Sequence, residues 1–203
     1  MSTDLLLQLE VHADSFLELA QEAAGRYLHH LDVNKHSEDE VRAAIDAFPD
    51  ALSHPYFDDG DMPIRSAALT PASIPFVPLL AEKGVSLNVG GEGQRGGLLV
   101  EDSDGDNVLQ LLAGSEEAEA ECFDAIKKLR ALELIWKEDI RQYNLLGWSC
   151  HPVWGKTRFD YFVDWDPEAL KHYNDDGDNS EFIHTTVNRI GRSVCCPLWA
   201  GGV

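Results

Sequence analysis

A chain of 203 residues with 44% hydrophobic residues is long enough and apolar enough to fold, which sets disorder aside. Its formal net charge is −20, with 36 acidic against 16 basic residues. It therefore lacks the clustered Lys and Arg that nucleic acid or an anionic membrane requires. That balance favours a basic protein as partner, and it is equally met by a solvated acidic surface that only keeps the chain soluble. Cys122, Cys150, Cys195 and Cys196 have neither metal-ligand spacing nor disulfide-scaffold density. With no leader pattern and no apolar run near the ~18 residues of a membrane helix, the expected location is cytoplasmic or nuclear.

Between Asp4 and Leu31, apolar residues at Leu6, Leu9, Ala13, Phe16, Leu17, Ala20, Ala24, Tyr27, Leu28 and Leu31 recur every three or four positions. This predicts a helix whose apolar stripe covers the element that follows, with Gly25 as a potential break. Ser37-Glu38-Asp39-Glu40 is a capping box, and Val41, Ala44, Ile45 and Phe48 continue it as a short helix. Pro49 ends that helix.

The stretch Asp59 to Asn88 organises the chain. Pro63 suits the first turn of a helix, and Ala67-Ala68 lets a second helix pack closely. Helices are expected near 62–69 and 73–82, the second irregular because Pro71, Pro75 and Pro78 crowd it, with Gly84 as its left-handed stop. Residues Asn88 to Asp102 hold VGGEGQRGG between short apolar runs and read as an elongated hairpin. The string Gly91-x-Gly93-x-x-Gly96 is not a dinucleotide site, because no helix opens directly after it.

Further helices are expected near 107–114 and 117–132. In the second, Ala118, Cys122, Ile126, Leu129 and Leu132 form the buried stripe and Ser115 the cap. Leu145 to Val153 and Arg158 to Trp165 follow, in an aromatic region holding Trp136, Trp148, Trp154, Tyr161 and Phe162.

Internal repetition is the strongest signal. Leu109 follows Ile64 by 45 residues, and Leu146 and Ile183 follow at 37 each. Gly60, Gly105 and Gly177 are each flanked by aspartates. Phe48-Pro49-Asp50-Ala51-Leu52-x-His54 recurs 118 residues later as Asp166-Pro167-Glu168-Ala169-Leu170-x-His172.

The run from Asp59-Gly60 through Met62-Pro63-Ile64-Arg65-x-Ala67-Ala68 to Leu79-Leu80, Gly84-Val85 and Asn88 resembles the ankyrin repeat, with Met62, Ile64 and Arg65 departing from that pattern. The resemblance spans roughly residues 40 to 190. It implies an all-α fold, an α-solenoid of stacked ankyrin-type helix-turn-helix repeats with short β-hairpin fingers. The units would be an N-terminal helical cap (1–36), a degenerate first unit (37–58), the clearest repeat with its long Gly-rich finger (59–103), a second (104–140), a third (141–175) and an incomplete last unit (176–203).

That fold implies a noncatalytic protein-interaction scaffold binding a protein on its concave and finger face. The positions carried over are Glu92, Gln94 and Arg95 at the finger, Asp61 and Arg65 beside the first clear repeat, and Asp106 and Gln110 beside the next. Arg65 and Gln110 stand where the family's structural His does. The apolar end of the chain, around Leu198 and Trp199, would be a second place of association.

Two alternatives remain: a vestigial or truncated repeat fragment without a specific partner, and a metal-dependent enzyme using the acidic clusters. Counting around Gly60, Gly105 and Gly177 places no ligands in EF-hand register. Cys150-His151 are sequence neighbours and do not make a nucleophile pair. No catalytic residue, cofactor or metal ligand is predicted.

Overall fold

The computed structural model describes residues 3–55, 60–150 and 156–172, with side chains described from residue 12 to residue 171. The expected last unit, with Asp176-Gly177, Ile183 and the apolar end of the chain, lies outside the described residues, as do Asp58-Asp59 and Trp154. The described residues are mostly helical, and no strand occurs among them.

Helix α1 runs Thr3–His29, uninterrupted at Gly25. A side chain at Gly25 would meet the His54 ring at 3.0 Å, so the glycine serves close approach rather than a break. Among the described side chains of α1, Ala24 and Leu28 near its C-terminal end are buried, as is Leu31 just beyond it, whereas Phe16 and Leu17 are exposed. Of the expected stripe, the part from Ala24 onward is buried or half-buried, and Leu6 and Leu9 lie outside the residues whose side chains are described.

Helix α2, Glu38–Ala47, starts as expected: Ser37 accepts the Glu40 N–H and Glu40 accepts the Ser37 N–H. A 3-10 turn, Pro49–Ser53, follows. The second copy of this motif folds alike. The Ala51 N–H bonds the Phe48 carbonyl and the Ala169 N–H bonds the Asp166 carbonyl, each at 3.0 Å, as the chain leaves α2 and the helix that ends at Trp165.

Helix α3 is Pro63–Leu69, with Ala67 and Ala68 buried. The prolines that follow produce a 3-10 turn, Ile74–Phe76, and then α4, Val77–Ser86. Pro78 thereby falls in the first turn of α4, where no intrahelical N–H bond is lost. Gly84 lies inside α4 instead of ending it. The left-handed residue is Asn88 (φ 55°), whose N–H bonds the Val85 carbonyl while Val89 N–H reaches back to Gly84.

The expected hairpin is not there. Residues 87–100 are turns plus a short 3-10 helix, Arg95–Gly97, folded back on α4. Gly84 and Gly96 lie so close that a Cβ on Gly84 would sit 2.6 Å from the Gly96 carbonyl oxygen. Val89 and Leu98 fill the space beneath, both at most 2% exposed. Burying two aliphatic side chains is worth about 1.5–3 kcal/mol each, which a solvent-exposed two-stranded ribbon could not supply.

Helices α5 (Val108–Gly114) and α6 (Glu119–Ala131) form the next pair. Ala118, Cys122, Ile126 and Leu129 are buried as their spacing predicts, while Leu132 is 40% exposed. Ser115 is the C-cap of α5 and not the N-cap of α6, whose N-cap is Ala118. At the end of α6, Glu133 (φ 58°) repeats the Asn88 geometry: its N–H bonds Arg130 and Leu134 N–H bonds Leu129. Asn88 and Glu133 are 45 residues apart, the same spacing as Ile64 and Leu109. Short helices α7 (Asp139–Gln142) and α8 (Leu145–Trp148) precede α9 (Lys156–Trp165) and α10 (Ala169–His172).

The pairs α3–α4, α5–α6 and α8–α9 each pack internally. Helices α3, α5 and α8 lie side by side in one row, and α2, α4, α6 and α9 in another. The core runs between the rows through Ile64, Leu80, Leu109, Leu112, Ile126, Leu129 and Phe162. Gly114 permits a close approach of α5 and α8, because a Cβ there would lie 2.7 Å from the Trp148 indole.

Candidate partner-binding face

The sequence-predicted residues gather into two clusters on the loops that join successive pairs. In the first, Asp102 closes its own turn: its Oδ1 accepts the N–H groups of Asp104 at 2.9 Å and Asp106 at 2.8 Å. Asn107 then caps α5 in a reciprocal box with Gln110. Arg65, projecting from α3, donates to the Asp106 carbonyl at 2.8 Å, pairs with Asp61 at 3.2 Å through Nε, and meets the Asp102 carboxylate.

These contacts define what each group has left for a partner. Arg65 is only 12% exposed and its N–H groups are committed inside the molecule. Gln110 is committed to its capping box. The backbone N–H of Asp106, followed by those of Asp104 and Gly105 and by the Arg65 charge, holds the Asp102 carboxyl below the usual carboxylate range. Asp106 moves the other way, raised by burial and by the Asp102 charge. Asp61 is half-buried, and Glu101 and Asp104 stand exposed at the rim.

Arg95 organises the second cluster. Its left-handed backbone (φ 47°) turns the side chain toward residues 134–139. The guanidinium lies 3.6 Å from the centre of the Trp136 ring, and it donates to the Leu134 carbonyl and to the Asp139 carboxylate. The same Asp139 oxygen accepts the Trp136 backbone N–H at 2.6 Å, and the indole N–H donates to the Glu133 carbonyl at 2.8 Å. Trp136 is 52% exposed although three interactions fix its orientation. Burial, then the Asp139 charge, raises the nearby Tyr143 phenol. Gln94 is half-buried, and Glu92 is exposed one turn earlier.

Sequence reasoning placed Arg95 in a projecting finger. It did not find Trp136, Asp139 or Tyr143, which complete the cluster from more than forty residues away. The aromatic run marked Trp136 as notable, but the side of the chain it occupies depends on the Arg95 contact. Chemically, the two clusters offer a fixed, half-exposed indole and carboxylates at Asp61, Glu92, Glu101, Asp104 and Glu133 that are exposed or half-buried.

Among the described residues, no group of three or more His, Cys, Asp and Glu side chains is placed to hold a metal ion, and no helix is long and apolar enough to cross a membrane. Two open grooves occur elsewhere. One of about 460 Å³ lies beside Pro75, Ala120, Asp124 and Lys128, and one of about 520 Å³ beside Asn34, His36 and Glu40. In comparisons with known proteins, no family model, no curated protein and no solved structure matches this chain.

Proposed function

We propose that this chain is a noncatalytic protein-interaction scaffold of the ankyrin-repeat type, which binds a basic protein partner through its acidic loop edge. The reading is supported above all by the stepwise alignment of its loops. The α3–α4 and α5–α6 pairs are each entered through a turn bearing carboxylates, and Arg65 ties one turn to the next. Equivalent left-handed caps at Asn88 and Glu133, and two parallel rows of helices, are what a repeat array produces. The loops of such an array point to one side, so weak individual charges act together on one partner.

Within this reading the roles divide. Arg65, Asp102, Asp106 and Gln110 shape the edge. Glu92, Glu101, Asp104 and the Trp136 indole meet the partner, with Asp61 at the border. Charge supplies rapid encounter and selectivity, and the indole supplies the desolvated anchor.

The test is affinity capture from the native extract with the intact chain and with a Glu92→Lys, Glu101→Lys, Asp104→Lys variant. All three residues are exposed, so the variant keeps the fold. A basic protein retained by the first and lost by the second supports the edge as the binding site. Equal retention by both places binding elsewhere, and no specific protein in either removes the scaffold reading.

A further inference from the structure

Helix α1 carries a surface that the loop edge does not explain. Its eight consecutive residues His12 to Leu19, two full turns of the helix, are all exposed. Among them Phe16 is 73% exposed, Leu17 57% and Leu19 60%. At a rotation of about 100° per residue, Ala13, Phe16, Leu17 and Ala20 project on the same side as the buried Ala24 and Leu28. One apolar stripe thus starts inside the core and continues into solvent. A helix of this length gains most of its stability from packing such a stripe.

The polar flank states what kind of element would cover it. Glu10, Asp14, Glu18 and Glu22 recur at every fourth residue, a row of carboxylates one turn apart, and no Lys or Arg occurs before Arg26. Like charges at this spacing oppose the helix that carries them. Among the described residues, Arg26 relieves the last by a 3.7 Å ion pair with Glu22. A second copy would bring the same acidic row to the interface, and the body of the molecule is acidic as well. A helix with an apolar stripe bordered by Lys or Arg meets both features at once.

We infer that the exposed N-terminal part of α1 docks a basic amphipathic helix of a partner protein, seated on Phe16 and Leu17 and paired with the Asp14–Glu18 row. This is a helix-on-helix interface, distinct in position and chemistry from the loop edge.

The test uses the full chain and three synthetic peptides of about 20 residues, long enough to form a helix. One has a Leu stripe bordered by Lys, one has the same composition scrambled, and one has Glu in place of Lys. Binding is read by fluorescence anisotropy at moderate salt. The expected result is that the Lys-bordered peptide binds at least about tenfold more tightly than either control, and that a Phe16→Gln, Leu17→Gln variant loses that margin. Both residues are exposed, so the variant's unfolding midpoint should match the parent, which separates lost docking from lost fold.

Equal binding of the scrambled peptide would overturn the inference by showing general attraction to a chain of charge −20. Unchanged binding by the variant would also overturn it, as would a dimer of the parent chain that the same substitutions dissociate. The variant leaves Glu92, Glu101 and Asp104 intact, so its outcome is independent of the loop-edge test.

Discussion

Arg65 on α3 and Asp102 on the turn that opens the next helix pair meet across 37 residues of chain, with side chains only 12% and 15% exposed. The same guanidinium holds the Asp106 carbonyl and the Asp61 carboxylate. One side chain therefore fixes the entry of one unit to the entry of the next.

Replacing Arg65 by Ala leaves those acceptors without their donor in a largely desolvated place. A loss of about 2–4 kcal/mol is expected. Arg65→Lys should recover little, since a single ammonium cannot reach three differently placed oxygens as a planar fork does. Urea unfolding of the parent and both variants measures this.

Glu133 offers a change in the opposite direction. It occupies a left-handed cap (φ 58°) that a side chain disfavours, and its own side chain is exposed. Glu133→Gly should stabilise the chain by about 1 kcal/mol, seen as a higher melting temperature. Asn88, the equivalent residue 45 positions earlier, already tolerates the conformation, so Asn88→Gly should gain less.

Gly84 and Gly96 carry a third prediction. A methyl group on Gly84 would fall 2.8 Å from the Gly96 Cα and closer still to its carbonyl, and both sides of that contact are backbone. Gly84→Ala should cost about 1–3 kcal/mol or more. Because Arg95 directly precedes Gly96, the variant should also loosen the Trp136 stack. Tryptophan fluorescence should then respond to a quencher more strongly than in the parent.

His29 makes stability depend on pH. It joins α1 to α3 through the Ser66 hydroxyl at 2.7 Å and approaches the His54 carbonyl at 3.1 Å. Burial is the largest influence on its imidazole, and with the neighbouring His30 and His54 it outweighs the His54 carbonyl and Asp61, leaving His29 below its ordinary value of 6.5. With the folded value below the unfolded one, the unfolded chain binds the proton more readily. This contribution is complete above about pH 6.5 and is lost as pH falls through the folded value. Between pH 7.5 and 5 the parent should lose more stability than a His29→Gln variant. Equal slopes in denaturant titrations would remove His29 as the cause.

Much of the helical framework was legible because period and capping are local. Ala118, Cys122, Ile126 and Leu129 announce a buried face by spacing alone, and Ser37 with Glu40 announces a helix start. The Gly-rich stretch misled because glycine licenses a turn without saying where the flanking apolar residues go. Leu98 packs on α4 rather than across a ribbon, a choice made by the opposed Gly84 and Gly96.

The candidate site was legible in part. Aspartates around Gly60 and Gly105 marked the loop edge, but nothing local to Arg65 shows that Asp61, Asp102 and Asp106 consume its hydrogen bonds. Likewise Trp136 acquires its position from Arg95, 41 residues earlier, so its exposure could not be read from its own surroundings.

The scaffold reading rests on a linear stack in which each pair depends on its neighbours. Arg158 tests this directly. It is 1% exposed on α9, and its guanidinium donates to the Leu112 and Ser115 carbonyls at the end of α5. The measurement is native-state hydrogen exchange on Arg158→Ala. A loss of protection concentrated in α5, α6, α8 and α9, with α2, α3 and α4 retained, is predicted. Uniform loss across every helix would contradict the stack and show one closed cooperative core instead.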